Sequence, residues 1–134
     1  MSGLALMEVQ RALYGKLHAD GVLMGMVGGV YDTVPQGAAL PYVVIGDGLQ
    51  NVVAADGVSV AQCRLGLDVW TDVGGRKTAL AIMNRIFALV HLGTLTMSGY
   101  QLVLLRCEQA ETTLIEQGTR IHGTLTITAT VTEN

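Results

Sequence analysis

The fold of this chain is decided by one stretch, TRIHGTLTITATVT (residues 119–132), in which apolar and polar residues alternate. The apolar set is predicted to face the core and consists of Ile121, Leu125, Ile127, Ala129 and Val131. The polar set consists of Arg120, His122, Thr124, Thr126, Thr128, Thr130 and Thr132. A period of two is typical of a strand with one buried face, so this stretch predicts a long, half-buried strand.

Three stretches upstream predict the other strands of the sheet. Apolar and polar residues alternate over residues 61–70, and the side chains predicted to face the core are Cys63, Leu65, Leu67 and Val69. The same alternation over residues 101–113 predicts that Val103, Leu105 and Cys107 face the core. The phase of the second stretch drifts near Gln109 and Ala110, which predicts a bulge or a sheet edge there. Pro41 cannot donate to a sheet ladder, so it is predicted to precede a short strand over residues 42–47.

Two helices complete the pattern. Residues 4–18 place Leu6, Val9, Leu13 and Leu17 at helical spacing, and residues 22–27 are consistent with one further turn. The second helix follows residues 71–77, with a predicted buried stripe of Leu80, Met83, Ile86, Phe87 and Val90. The order α-β-β-α-β-β predicts one α+β domain over residues 1–134. Its mostly antiparallel four-stranded sheet would carry both helices on one face and present a polar face, light in charge, on the other.

The composition is unusually apolar for a small domain. Half of the residues are hydrophobic and 14% are charged, against about a quarter charged in typical domains. The chain lacks an apolar run long enough to span a membrane, and its first residues lack the basic region of a signal peptide. No membrane partner is therefore expected, and association between subunits is the expected way to cover the apolar surplus.

The net charge of −3 comes without a basic stripe, which argues against dedicated nucleic-acid binding. This charge is compatible with DNA passing close to the surface without being bound. Cys63 and Cys107 fall on inward strand positions, so two buried free thiols are expected, with a disulfide as the alternative. Their spacing matches no metal site.

The segment GGRKT (residues 74–78) resembles a phosphate-binding loop. The Walker pattern requires Gly directly before Lys, and Arg76 stands at that position, so an ordinary helix N-terminus is expected. The histidines at 18, 91 and 122 are not spaced as helical metal ligands, and no serine has a nucleophile-elbow context. The carboxylates Asp68, Asp72, Glu108 and Glu111 can pair across the sheet or lie in solvent. No catalytic, metal or cofactor site is predicted.

The threonine row is the most distinctive polar feature. Threonine favours strands, so propensity alone explains part of it. The alternative is that Thr124, Thr126 and Thr128 form a surface in contact with protein, or the smooth inner wall of a ring.

Five segments together resemble a known family over roughly residues 10–132. They are LYGKLHAD, GGVYDTVPQGAALPYVVIGDG, RLGLDVWTDVGGRKTALAIMNRI, YQLVLLRCEQAET and TRIHGTLTITATV. The family comprises tail terminator, or tail completion, proteins of long-tailed phages, prophages and gene transfer agents. The resemblance implies the same α-β-β-α-β-β fold, a structural role without catalysis, and no cofactor.

The resemblance also implies a place in the particle. The protein would form a ring, expected to be hexameric, that caps the head-proximal end of the tail tube and stops its polymerisation. Its partners would be further copies of itself, the major tail tube protein and the head–tail connector or stopper, with DNA passing through the lumen. It would be assembled in the bacterial cytoplasm and lie in the tail or neck of the virion. The alternatives are another neck component, and less favoured, a nucleotide- or ligand-binding domain.

Two segments are predicted to make the contacts of such a ring. Residues 28–41, the arm, contain both prolines and offer Tyr31, Val34, Pro35 and Leu40 to a neighbouring subunit. The alternative is an ordinary loop on its own core. Residues 48–60 are predicted to form a long loop or hairpin tip turning at Asp56-Gly57. This segment would reach the tube or connector through Val52, Val53, Asp56 and Val58.

Overall fold

The computed structural model describes residues 3–55, 57–72, 76–115 and 120–134. Its elements, in chain order, are α1 (Leu6–His18), α2 (Gly21–Met26), β1 (Val30–Tyr31), β2 (Tyr42–Ala55), β3 (Val58–Thr71), α3 (Arg76–Val90), β4 (Tyr100–Ile115) and β5 (Arg120–Glu133). The five strands form one sheet in the order β1-β2-β3-β5-β4. The β1–β2 pair is parallel and the other three pairs are antiparallel. The α+β class is confirmed, but the sheet has five strands because two residues of the arm pair with β2.

The centre of the sheet follows the sequence pattern closely. Strands β3 and β5 pair without interruption from Val60 opposite Thr132 to Thr71 opposite Ile121. All the residues predicted to face inward on these two strands are buried. Because the alternation of each strand has one strongly apolar face, a shift of one residue would expose that whole face, and the register is fixed.

The prediction of a long loop over residues 48–60 is wrong for most of this segment. Strand β2 continues to Ala55 and pairs with β3 as a hairpin, so only the hairpin-tip alternative is supported. An extra residue between Ile45 and Gly48 reverses the side-chain phase. After this bulge Gln50 lies on the helix side, where its Oε1 accepts a hydrogen bond from the Leu6 N–H at 3.0 Å.

Strand β4 contains two irregularities instead of one. The bulge between Cys107 and Gln109 confirms the predicted drift, and a second bulge lies between Leu102 and Leu104. The second bulge places Leu102 against the core and leaves Val103 60% exposed. The inward position predicted for Val103 is therefore wrong, while Leu105 and Cys107 are buried as expected.

The helices pack on one face of the sheet, as predicted. Helix α1 buries Val9, Leu13 and Leu17, whereas helix α3 buries Ala79, Ile82, Met83, Ile86 and Val90. Leu80 and Phe87, assigned to the buried stripe from the sequence, are 49% and 41% exposed. The observed stripe is displaced toward Ala79 and Ile82, and α3 lies close to β5, where a Cβ on Gly123 would stand 2.5 Å from the Met83 Sδ. In the described residues, no helix combines the length and the apolar character needed to cross a bilayer.

Charged hydrogen bonds hold the helices and the loop before β4 in place. Asp20 caps α2 by accepting from the Leu23 N–H, and it also accepts two bonds from the Arg85 guanidinium at 2.9 and 2.6 Å. Glu8 accepts from Arg11 and from the Ser98 N–H at 2.6 Å. The bonds from Arg85 and then Leu23 lower the pKa of Asp20 to about 2, and the bonds from Arg11 and Ser98 lower the pKa of Glu8 to about 2.

The lowered pKa values of Asp20 and Glu8 predict that the folded chain loses stability in acid. A carboxyl whose pKa is lower in the folded chain stabilises it above the unfolded pKa of about 4, and the gain is lost as the pH falls toward 2. We expect Asp20→Asn, which keeps the helix cap, to lower the melting temperature at pH 7 and to flatten its fall between pH 4 and 2. Thermal unfolding followed by circular dichroism across this pH range measures the melting temperature. Asp47→Asn, at an exposed position, is the control. An unchanged pH profile in Asp20→Asn would contradict the assignment.

Candidate interaction surfaces

The histidines and carboxylates are engaged in separate structural contacts. His122 Nε2 lies 2.7 Å from Asp68 Oδ1, and its ring stacks on Trp70 with centroids 4.2 Å apart. His91 Nδ1 accepts from the Cys107 N–H at 3.1 Å. Glu108 lies 3.6 Å from Arg64, while Asp72 and Glu111 are exposed. Among the described residues, no three His, Cys, Asp or Glu side chains gather into a possible metal site.

The cysteines confirm the expectation of buried thiols. Both Cys63 and Cys107 are free and buried. Burial raises the pKa of Cys63 to about 11 and also raises that of Cys107. Since the thiolate is the reactive form, these thiols are suited to packing. Of the GGRKT segment, Arg76 and Lys77 are exposed at the start of α3, and Gly74 and Gly75 lie outside the described residues.

The arm is partly built into the sheet. Val30 is buried in β1, the Val43 N–H donates to the Gly29 carbonyl, and the Gly28 N–H donates to the Pro41 carbonyl. Beyond β1 the chain is irregular, with Pro35 exposed and Val34 and Leu40 half-buried. Tyr31 meets Tyr42 edge to face, with ring centroids 6.0 Å apart. Of the predicted contact residues, Tyr31 therefore lies in the edge strand β1, and Val34, Pro35 and Leu40 lie in the irregular chain between β1 and β2.

The hairpin tip, residues 50–60, extends the sheet beyond the helices. Val52 and Val53 face opposite sides of β2, yet they are 58% and 48% exposed. A strand whose two faces are both apolar and both open to solvent is suited to contact with a partner. Val58 begins β3, and Asp56 lies outside the described residues.

The threonine face is the polar side of the sheet, opposite the helices. Thr124 and Thr126 are half-buried and Thr128 is buried, its Oγ1 without a hydrogen-bond partner among the described atoms. The neighbouring strands bring Arg64 and Arg106 beside Thr128. They also bring Asp68 and Glu111 beside Thr124. The expectation of a face light in charge is therefore wrong, because the charges come from the neighbouring strands.

Two apolar grooves on the helix side are not predicted by the sequence. The α1 groove, of about 870 Å³, lies between α1 and the β1 edge and includes Leu4, Met7, Tyr14 and Asp32. The α3 groove, of about 720 Å³, lies between α3 and β4 and includes Lys77, Leu80, Phe87 and Ala110. The sequence contains only a weak indication of these grooves. Met7 and Tyr14 flank the buried stripe of α1, and Leu80 and Phe87 are seven residues apart on α3.

These features define a class of protein. The described residues carry apolar surface at both lateral edges of the sheet and at the hairpin tip, and Asp20, Glu8, Asp68 and His122 make structural contacts. This arrangement is typical of a subunit built for assembly. The family model of tail completion protein gp17 matches residues 11–132, and the chain belongs to this family.

Two solved structures are similar to the chain. One is a chain of the virion of a native gene transfer agent particle, with a TM-score of 0.88 and 28% identity, covering 97% of this chain and 99% of that one. The other is the gp17 protein of bacteriophage SPP1, with a TM-score of 0.68 and 24% identity, covering 99% and 94%. At this identity the second match supports the fold alone. Among curated protein sequences, none matches the chain significantly.

Proposed function

We propose that this protein is a structural tail terminator, which caps the head-proximal end of the tail tube, stops its polymerisation and joins the tail to the head connector. Membership of the tail completion family carries the proposal. The similarity to a chain of a gene transfer agent virion supports a position in the tail or neck of such a particle. The role is structural, with no reaction and no cofactor.

The protein acts as a ring of identical subunits, which we take to be a hexamer. The exposed apolar surfaces at the two edges of the sheet support this arrangement, because two different surfaces on one subunit give head-to-tail contacts, which form a ring when the rotation between neighbours closes. Tyr31, Val34, Pro35 and Leu40 of the arm contribute to the subunit contact at the β1 edge. Thr124, Thr126 and Thr128 face either a neighbouring subunit or the lumen, through which DNA passes without sequence-specific contacts.

The hairpin tip is the part of the subunit that reaches the tube or the connector. Its exposed valines, Val52 and Val53, lie beyond the helix layer. They are therefore available while the grooves and the arm are occupied by neighbouring subunits. Asp56 and Val58, which follow these valines in the sequence, are assigned to the same contact.

The proposal is tested by the mass of the purified protein in light scattering, at two concentrations and with or without tail tube protein. We expect a mass of about six subunits, either in the free protein or only when tubes are present, because weak contacts assemble by mass action. Pull-downs with tail tube protein and with portal or adaptor protein separate a terminator from another neck component. A monomer that ignores both concentration and tubes would overturn the proposal.

A further inference from the structure

The α3 groove is an open, almost wholly apolar trough at one end of the helix layer. Its walls are the exposed face of α3, with Leu80 and Phe87, and the edge strand β4 at Ala110. Lys77, in the first turn of α3, supplies the positive charge at this groove. Leu80 and Phe87 are nearly half exposed, and large apolar side chains grouped in this way indicate an interaction site.

At the other end of the helix layer, α1 presents an apolar ridge. Leu4 and Met7 are 70% and 79% exposed, and Tyr14 lies seven residues further along the same helix face. A spacing of seven residues places Met7 and Tyr14 in one line along α1, and the exposed Leu4 precedes the first turn of this helix. The ridge borders the α1 groove, where Asp32 accepts a hydrogen bond from the uncharged Gln10 amide at 3.0 Å.

The two surfaces differ in shape and charge, and they lie at opposite ends of the molecule. The α1 groove adjoins β1 and β2, whereas the α3 groove adjoins β4, the last strand at the other edge of the sheet. A helix ridge and a groove form a complementary pair of a kind that proteins use repeatedly. Asp32 beside the ridge and Lys77 in the groove have opposite charges, whereas Arg11 beside the ridge is already paired with Glu8 at 2.6 Å.

We propose that a second copy of this chain occupies the α3 groove. The ridge of Leu4, Met7 and Tyr14 on one copy docks against Leu80 and Phe87 of the next, and Asp32 of the first copy pairs with Lys77 of the second. The first copy then keeps its groove free and the second keeps its ridge free, so the contact repeats head to tail. This inference rests on the proposed ring and names the surfaces that join its subunits.

The first test uses two variants that each lose one surface, Met7→Asp and Phe87→Asp. Each alone is expected to be monomeric in light scattering, because an unpaired carboxylate would be buried in every contact. Mixed in equal amounts, they should form dimers and nothing larger, since Met7→Asp keeps a good groove and Phe87→Asp keeps a good ridge. Val22→Asp, at an exposed residue of α2 outside both grooves, is the control and should assemble like the original chain.

The second test exchanges the charges. Lys77→Asp and Asp32→Lys are each expected to raise the concentration needed for assembly by about tenfold or more, because like charges then face each other. The double variant should return to the original value. If free subunits stay monomeric, both tests are run with tail tubes, and the amount of bound protein is measured by sedimentation.

The outcomes separate this inference from the proposed function. If the original chain assembles or caps tubes while Met7→Asp and Phe87→Asp assemble equally well, the ring stands and the ridge–groove contact is wrong. A mixture that stays monomeric, or a double charge variant without rescue, also overturns the contact. If the original chain neither assembles nor binds tubes, the proposed function itself fails and this inference fails with it.

Discussion

A chain carrying Tyr31→Asp and Val34→Asp is expected to fold but to form no ring. Both residues lie in the arm at the β1 edge, where Tyr31 packs edge to face on Tyr42 and Val34 is half-buried. In the free subunit the new carboxylates can remain in water, so the loss is about 0.5–1.5 kcal/mol from the aromatic pair plus part of a buried valine. In a subunit contact they would be desolvated without a partner, which costs several kcal/mol for each charge.

Light scattering measures the loss of the ring, and circular dichroism measures the retained fold. The variant Val22→Asp with Leu92→Asp is a suitable control, because it places two carboxylates at exposed apolar positions away from the arm. Persistence of the ring in the arm variant would mean that residues 28–41 are an ordinary loop packed on their own core.

A chain carrying Val52→Asp and Val53→Asp is expected to form normal rings that fail to cap tubes. Both side chains are already exposed, on opposite faces of the hairpin tip, so the subunit loses little stability. The tip would lose its apolar contact with the tube or connector and bury charge there instead. Electron microscopy of tubes assembled with the variant should show overlong tubes, as in the absence of the protein.

Leu49→Asp is the matched control for the tip, because Leu49 is also exposed and lies on the same strand just before the hairpin tip. Removal of residues 54–58 provides an independent variant and should act like the double substitution. Tubes of normal length with both tip variants would show that the hairpin tip does not contact the tube.

The sequence was most informative where one strand face is uniformly apolar. The strands over residues 61–70 and 119–132 could be placed, with their buried sides, from alternation alone, because in both strands the inward positions are strictly apolar. The hairpin tip was harder, since Val52 and Val53 are neighbours with the same apolar character and no alternation separates the faces. Its low charge resembled a loop, and only its pairing with β3 makes it a strand.

The sequence by itself determined the family, the α+β class, the central strands, both long helices and the buried thiols. The family follows from the resemblance of five segments to a known family, and the other features follow from local periodicity and from residue types that act within one element. The tertiary structure alone decided the bulges in β2 and β4, the β1 pairing, the rotation of α3 that exposes Leu80 and Phe87, and the two apolar grooves. These features depend on how one element packs against another, as when the missing Cβ of Gly123 leaves room for Met83 of α3. Such contacts join residues far apart in the chain, and no pattern within a single element encodes them.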